Sequence, residues 1–419
     1  MRITFLLNNA YAIGGTVRTT HNLAGQLAAE HDVEIVSVFR DRDDPSFRHH
    51  PRIRLRHLAD LRPHGPDSVL DDPRRLRPAA VFPAADRRYA AYSALTDELI
   101  GRCLAGLDAD VVVGTRPGLN VHLARQAPRR LVRVAQEHLT LDTHSTRLVL
   151  ALRRHYPGLD AVTTTTGADA AVYRRRMPGV RVTAVPNCAP AAGAVLSDCT
   201  APVVVAAGRL TEAKRYDDLI RAFAVVSAAR PDWTLRLYGG GELEAALAAL
   251  IAELGVGGHV TLMGPVAPLE PELARASVLA VTSTTESFGM TIVEGMRAGL
   301  PVVATDCPLG PREIVRHGVT GFLVPPRDPA AVAAALLTLI EDDGRRRAMG
   351  RAALALAGRY DPAAVADRHL RIFRALLAVR ALPGHRARSA ARAGAARAAG
   401  GVLSAADTAG AALRRARRG

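Results

Sequence analysis

Two glutamates, Glu286 and Glu294, stand eight residues apart in TTESFGMTIVEGMRAGLPVVATD (284–306), a stretch otherwise apolar and punctuated by glycine. Paired carboxylates can be an acid and a base flanking a bond that is cut. They can also be two clamps on different parts of one ligand, or ordinary surface charges on a helix. Two cations, Arg209 and Lys214, follow Gly208 in GRLTEAKRYDDLIRAF (208–223). An arginine offers a planar fork to phosphate oxygens and a lysine a point charge. Solvated charges near a helix start are the plain alternative. In YGGGELEAAL (238–247), three glycines, Gly240 among them, let backbone approach a ligand closely, or simply make a turn. Gly14 and Gly15 in YAIGGTVRT raise the same choice, and they do not complete G-x-G-x-x-G, so the dinucleotide fingerprint fails.

The elements that carry these residues alternate. RITFLL (2–7) reads as a buried strand, followed by a glycine turn, a helix over 16–30 and a strand over 32–39. Further strands are expected at 110–114, 131–137, 161–166 and 180–187. The stretch 40–88, rich in Pro, Arg and Asp, reads as loops with short pieces of strand and helix. Residues 188–201 are small and linker-like. The rhythm then restarts, with strands at 202–208, 234–241, 260–264, 278–283, 301–306 and 321–325 and helices at 216–229 and 242–254. Helices follow at 329–341, 344–357 and 361–380. Two doubly wound α/β modules result, a domain over 1–190 and a domain over 191–360. Such sheets bind ligands beyond the carboxyl ends of their strands. Glu286 falls in a turn at such an end, with the amides of Ser287, Phe288 and Gly289 at the following helix start, where an anion is favoured. Glu294 falls inside that helix, beside Ile292, Val293 and Met296, and needs a partner if buried.

At 419 residues and 48% apolar, the chain is globular and long enough for two cores. No apolar run reaches the length of a membrane span, and MRITFLL is too short for a signal segment, so the cytoplasm is the expected compartment. The four cysteines show no zinc-ligand spacing. The net charge of +15 admits nucleic acid, anionic membrane or phosphorylated partners, or a genome rich in Arg codons. Residues 381–419 carry eight arginines against one aspartate, a low-complexity tail that is either an inconsequential extension or a tether favouring the anionic inner face of a membrane. Basic residues are not interleaved with aromatics, which argues against nucleic acid. DRDD (41–44) contains D-x-D but sits in a basic loop, where a solvated turn is the expectation rather than a metal site.

Taken in order and spacing, the pieces resemble glycosyltransferase family 4, retaining nucleotide-sugar enzymes of the GT-B fold. The resemblance rests on GG at 14–15, VPN at 185–187, GRLTEAK at 208–214, YGGG at 238–241, ESFGMTIVE at 286–294, GLPVVATD at 299–306 and GVTGFLV at 318–324. It covers roughly residues 1–375. It implies an α/β GT-B fold, two Rossmann-like domains facing each other across a cleft, the first taking the acceptor and the second the donor. The helix 361–380 would pack back towards the first domain. The catalytic set it implies is Glu286, His138, Arg209 and Lys214. The donor-binding set is Gly15, Gly208, Arg209, Lys214, Gly240, Glu286, Ser287, Phe288, Gly289, Met290 and Glu294. Arg209 and Lys214 would meet the diphosphate, Glu286 the transferred sugar and Glu294 the ribose. Gly15 would bring backbone to the diphosphate, and His138 would contact the donor sugar. No metal and no cofactor beyond the nucleotide-sugar donor is implied, because the two cations can meet the leaving charge. The stretch 305–318 resembles members that build cell-surface glycopolymers, with a glycan, polyol-phosphate or lipid-linked acceptor. A nucleotide-sugar epimerase on the same fold is the alternative reaction.

Overall fold

Continuous runs of β-branched and aliphatic residues, too short for helices, form strands that are covered on both faces. A computed structural model of the chain describes residues 1–189, 196–382 and 394. Nearly all of the basic tail expected over 381–419, and residues 190–195 of the small-residue linker, lie outside the described residues.

The chain divides into two compact units, Met1–Pro186 with the segment from Val365 onward, and Asn187–Ala364. The first unit contains β1 (Arg2–Asn9), α1 (Gly15–Leu27), β2 (Asp32–Arg40), β3 (Ile53–Asp60), α2 (Ala94–Ala105), β4 (Val111–Gly114), α3 (Pro117–Gln126), β5 (Val132–Glu137), α4 (Thr146–His155), β6 (Ala161–Thr164), α5 (Gly167–Arg176) and β7 (Val182–Ala184). Its sheet runs β3-β2-β1-β4-β5-β6-β7, parallel throughout, with Ile3 opposite Val33 on one side and Val111 on the other. β1 is flanked by β2 and β4, and the connections leave these two in opposite directions. That is a topological switch point.

The second unit contains β8 (Val203–Ala207), α6 (Tyr216–Ala229), β9 (Thr234–Tyr238), α7 (Glu244–Glu253), β10 (Val260–Gly264), α8 (Glu270–Ala274), β11 (Val278–Val281), α9 (Met290–Arg297), β12 (Val302–Thr305), α10 (Pro311–Ile314), β13 (Gly321–Val324), α11 (Pro329–Glu341) and α12 (Asp343–Ala357). Its sheet order, β10-β9-β8-β11-β12-β13, repeats the first, with the switch between β8 and β11. Asp328 and Asp342 cap α11 and α12, accepting from the amides of Ala331 (2.9 Å) and Arg345 (2.8 Å). Each cap contributes about 1 kcal/mol. The last helix, α13 (Pro362–Ala381), belongs to the first unit from Val365 on. Its Arg380 donates to the carbonyl of Arg129 and to Asp160, both at 2.7 Å.

Three sequence expectations change. The stretch 40–88 contains an eight-residue strand, β3, whose arginines Arg54 and Arg56 both reach Glu34 of β2. The strand expected over 180–187 shrinks to Val182–Ala184. The helix expected to Glu30 stops at Leu27. The D-x-D residues behave as ordinary surface acids: Asp41 pairs with Arg42, and Asp43 with Arg62. No described helix is long and apolar enough to cross a membrane.

Candidate functional site

In the second unit, three strand-end loops meet at the switch point. The first leaves β8 at Gly208, whose φ of +154° suits glycine, and whose missing Cβ would lie 2.7 Å from the Tyr216 hydroxyl. The loop closes in a 3-10 turn over Glu212–Lys214, and Arg215, at φ +51°, opens α6. The Arg215 guanidinium holds both oxygens of Asp218 at 2.8 Å, which fixes this left-handed residue. Thr282, at the end of β11, donates to the carbonyls of Lys214 and Arg215 at 3.0 Å, and the Thr284 amide donates to Ala213 at 2.9 Å. The two loops are thereby stitched together. A third, after β12, bonds to the backbone of Glu286: the Glu286 amide donates to Pro308 (2.9 Å), and its carbonyl accepts from Leu309 (2.9 Å) and Gly310 (3.1 Å).

This scaffold presents the Glu286 carboxylate to Lys214. Nζ lies 2.5 Å from Oε1, and the Ser283 hydroxyl donates to the same oxygen at 2.8 Å. Lys214, Tyr216, Ser283, Glu286, Gly289 and Thr291 line one pocket. Burial, and then the Glu286 charge, push the Tyr216 hydroxyl well above the usual phenol range, so it stays a neutral donor. Arg209 is exposed on the same loop and forms no ion pair among the described residues.

Helix α9 starts at Met290 behind Gly289, whose φ is +104°. Among the described residues, the amides of Phe288, Gly289 and Met290 make no hydrogen bond. They are the unsatisfied donors of a helix start. The Phe288 ring itself is core, edge-on to Tyr360 at 5.6 Å, so only its backbone is available. Glu294 is buried one turn into α9, and Ser287 precedes the helix start. At Gly295 the helix lies so close to β11 that a Cβ would meet Leu279 Cδ2 at 2.5 Å, which sets the depth of Glu294.

The three glycines after β9 have different duties. A Cβ on Gly239 (φ +143°) would sit 1.8 Å from the Gly208 carbonyl oxygen, and one on Gly241 2.5 Å from that of Leu210. Both are required for backbone to pack on backbone. Gly240 is open, with only Pro265 Cδ at 3.9 Å.

Gly15 and His138 belong to the first unit. Gly15 heads α1, and nothing lies within 4 Å of where its Cβ would be. His138 is buried just after β5. On α13, burial and the neighbouring His138 push the His369 imidazole down to about 3, so it is neutral across the physiological range. Sequence reasoning missed Glu137, next to His138. It is fully buried, accepts from Asn120 Nδ2 at 2.7 Å and from the Tyr156 hydroxyl, and is pushed up to about 7 by desolvation. The available signal was a run of polar residues, Gln136, Glu137 and His138, ending a strand whose two faces are covered.

Residues 201–342 match the family described as Glycosyl transferases group 1. The chain is 33% identical over 390 residues to an exopolysaccharide phosphotransferase of Streptomyces coelicolor, covering 91% of this chain and 41% of that protein. It is 37% identical over 190 residues to a D-inositol 3-phosphate glycosyltransferase of Thermobispora bispora, covering 42% of this chain and 44% of that one. The chain thus spans less than half the length of these curated relatives. Among solved structures, Staphylococcus aureus TarM in complex with UDP superposes with a TM-score of 0.72 at 13% identity, over 89% of this chain and 100% of that one. The pneumococcal O-GlcNAc transferase GtfA, solved with UDP and GlcNAc, gives 0.70 at 15% identity, over 90% and 99%. At these identities the likeness shows the fold, which is GT-B.

Proposed function

From a chain that carries a glycosyl transferases group 1 domain on a GT-B fold, we propose a retaining glycosyltransferase that moves a sugar from a nucleoside-diphosphate sugar to an acceptor hydroxyl. The observation that carries the reading is the Lys214–Glu286 pair at the β8/β11 switch point, beside the free amides that start α9. Before a donor arrives the two side chains neutralise each other. A donor would exchange their partners. Lys214 and exposed Arg209 take the diphosphate, whose negative charge grows as the sugar departs. Glu286 turns to the sugar hydroxyls and holds the reacting carbon in place. Gly240 and the amides of Phe288, Gly289 and Met290 supply backbone donors without bulk, and Glu294 clamps the ribose. Lys214 and Arg209 replace the metal, and the donor's own phosphate takes the acceptor proton, so no nucleophilic side chain is needed.

The acceptor class we propose is a cell-surface polysaccharide or a related glycoconjugate. The S. coelicolor relative's exopolysaccharide name and the Rhizobium meliloti relative named for lipopolysaccharide core biosynthesis, 34% identical over 173 residues, support it. The test is a panel of UDP-, GDP- and ADP-sugars screened by thermal shift, then product analysis with and without acceptor in EDTA. One nucleotide should raise Tm by several degrees. Transfer in EDTA with the donor's anomeric configuration kept would support the reading. Donor turnover without acceptor would move it to an epimerase.

A further inference from the structure

The carboxyl edge of the first sheet carries charges that donor binding does not use. Asp86 is 5% exposed, and its Oδ1 accepts from the Arg88 amide at 2.9 Å and from Arg116 Nη2 at 3.3 Å. One buried carboxylate therefore draws together the turn at 86–88 and the residue that caps α3. The Tyr92 hydroxyl donates to Asn8 Oδ1 at 2.7 Å, which pins the same segment over the end of β1. Arg87 reaches the Thr143 carbonyl at 3.3 Å, beyond the end of β5. His144, next to it, is within electrostatic reach of Asp86, Arg87 and Arg116, and its burial lowers its pKa and so favours the neutral ring. Three segments from separate parts of the chain thus converge where β1 and β4 diverge.

We infer that Arg87, Arg88 and Arg116, gathered around Asp86 at the β1/β4 switch point, bind a phosphate group carried by the acceptor. The word acceptor rests on the transfer reaction proposed above; the phosphate site is a property of the first unit alone. Arg116 pairs with Asp86, Arg87 and Arg116 both lie within electrostatic reach of His144, and Arg88 and Arg116 both lie within that of Tyr92. Arg116 is neutralised by Asp86, but Arg87 and Arg88 are exposed and form no ion pair among the described residues. The other acids nearby do not cancel them. Asp142 is paired with Arg176 at 3.1 Å, and burial pushes the Glu137 carboxyl up to about 7, towards its neutral form. Guanidinium forks match phosphate oxygens in pairs, and the positive start of α3 points to the same place. The switch point is where an open α/β sheet binds its ligand. Asp86 acts as a positioning residue: it aims Arg116 and shapes the turn that carries the other two.

The test is site-resolved protection of arginines from phenylglyoxal in the full chain, read by peptide mass mapping with saturating UDP present. Glycerol 1-phosphate at millimolar concentration should slow modification of Arg87 and Arg116 at least five-fold. Exposed Arg48 and Arg221 should be unchanged, and glycerol should protect nothing. Equal protection of Arg48, or none at Arg116, overturns the site. Protection by inorganic phosphate but not by glycerol 1-phosphate assigns it to a free anion and overturns the acceptor assignment. Should Arg116→Gln not fold, Arg87→Gln alters only an exposed side chain. It should at least halve the protection of Arg116, and unchanged protection contradicts the inference. The UDP-induced rise in Tm should be the same in both proteins. If it is missing from both while Arg116 is still protected, the donor reading fails and the phosphate site stands.

Discussion

The two sheets share one strand order and the same kind of switch point, yet their carboxyl edges are chemically different. In the second unit the edge holds an exposed cation, Arg209, a short ion pair, Lys214–Glu286, and a helix start with free amides. In the first unit the edge is a buried polar network, with Glu137, Asn120 and Tyr156 bonded together and Asp86 holding Arg116. The second arrangement suits a ligand that brings its own charges and displaces a simple pair. The first suits fixed geometry, because its side chains are buried and tied to one another from separate elements.

The largest expected effect is at the second edge. Lys214→Ala should lower kcat/KM about 100-fold or more, because it removes a cation from the leaving diphosphate. Glu286→Ala should mainly lower kcat, whereas Glu294→Ala should mainly raise the donor KM, by about tenfold. Steady-state kinetics separate the two, and unaltered constants in both variants would return the pair to a structural role.

Glycines sharpen the contrast between scaffold and site. Gly239→Ala should cost about 2 kcal/mol or more in denaturant unfolding, since its Cβ has no room beside the Gly208 carbonyl and its φ is positive. Gly240→Ala should leave stability within about 0.5 kcal/mol while weakening donor binding. Equal destabilisation by both would merge what the structure separates.

At the first edge the prediction is one of pH. Glu137 rises from 4.5 to about 7 on folding, so the native state binds more protons than the unfolded chain between those values. Its contribution to stability is full below about pH 4.5 and is lost as pH rises towards 7, by about 3 kcal/mol. His369, lowered to about 3, has the opposite slope: its contribution is lost as pH falls from about 6.5. Glu137→Gln should flatten the decline towards pH 7 in urea titrations, and an unchanged profile would show that the network does not hold the proton.

The contrast also explains what the residues alone made legible. The central strands of both sheets are buried on both faces, so they read as apolar runs, and the Glu286 loop and the α9 start fall out of that pattern. β3 did not, because IRLRHLAD is an edge strand whose arginines are there to meet Glu34, which no local pattern reveals. Glu137 reads as the polar end of a strand; its partners Asn120 and Tyr156 come from α3 and from the residue after α4. The three glycines at 239–241 look alike in sequence. Only the approach of the 208–210 loop tells the structural pair from the open one. Likewise Arg116 and Asp86 are thirty residues apart and share meaning only through the switch point.

The most direct test is calorimetric titration of the nucleoside diphosphate that stabilises the protein most into the wild type and Lys214→Ala. The account predicts micromolar binding to the wild type and at least a tenfold loss in the variant, with the variant's fold intact by circular dichroism. Equal affinity in the two proteins would contradict the claim that the Lys214–Glu286 pair opens to receive the donor.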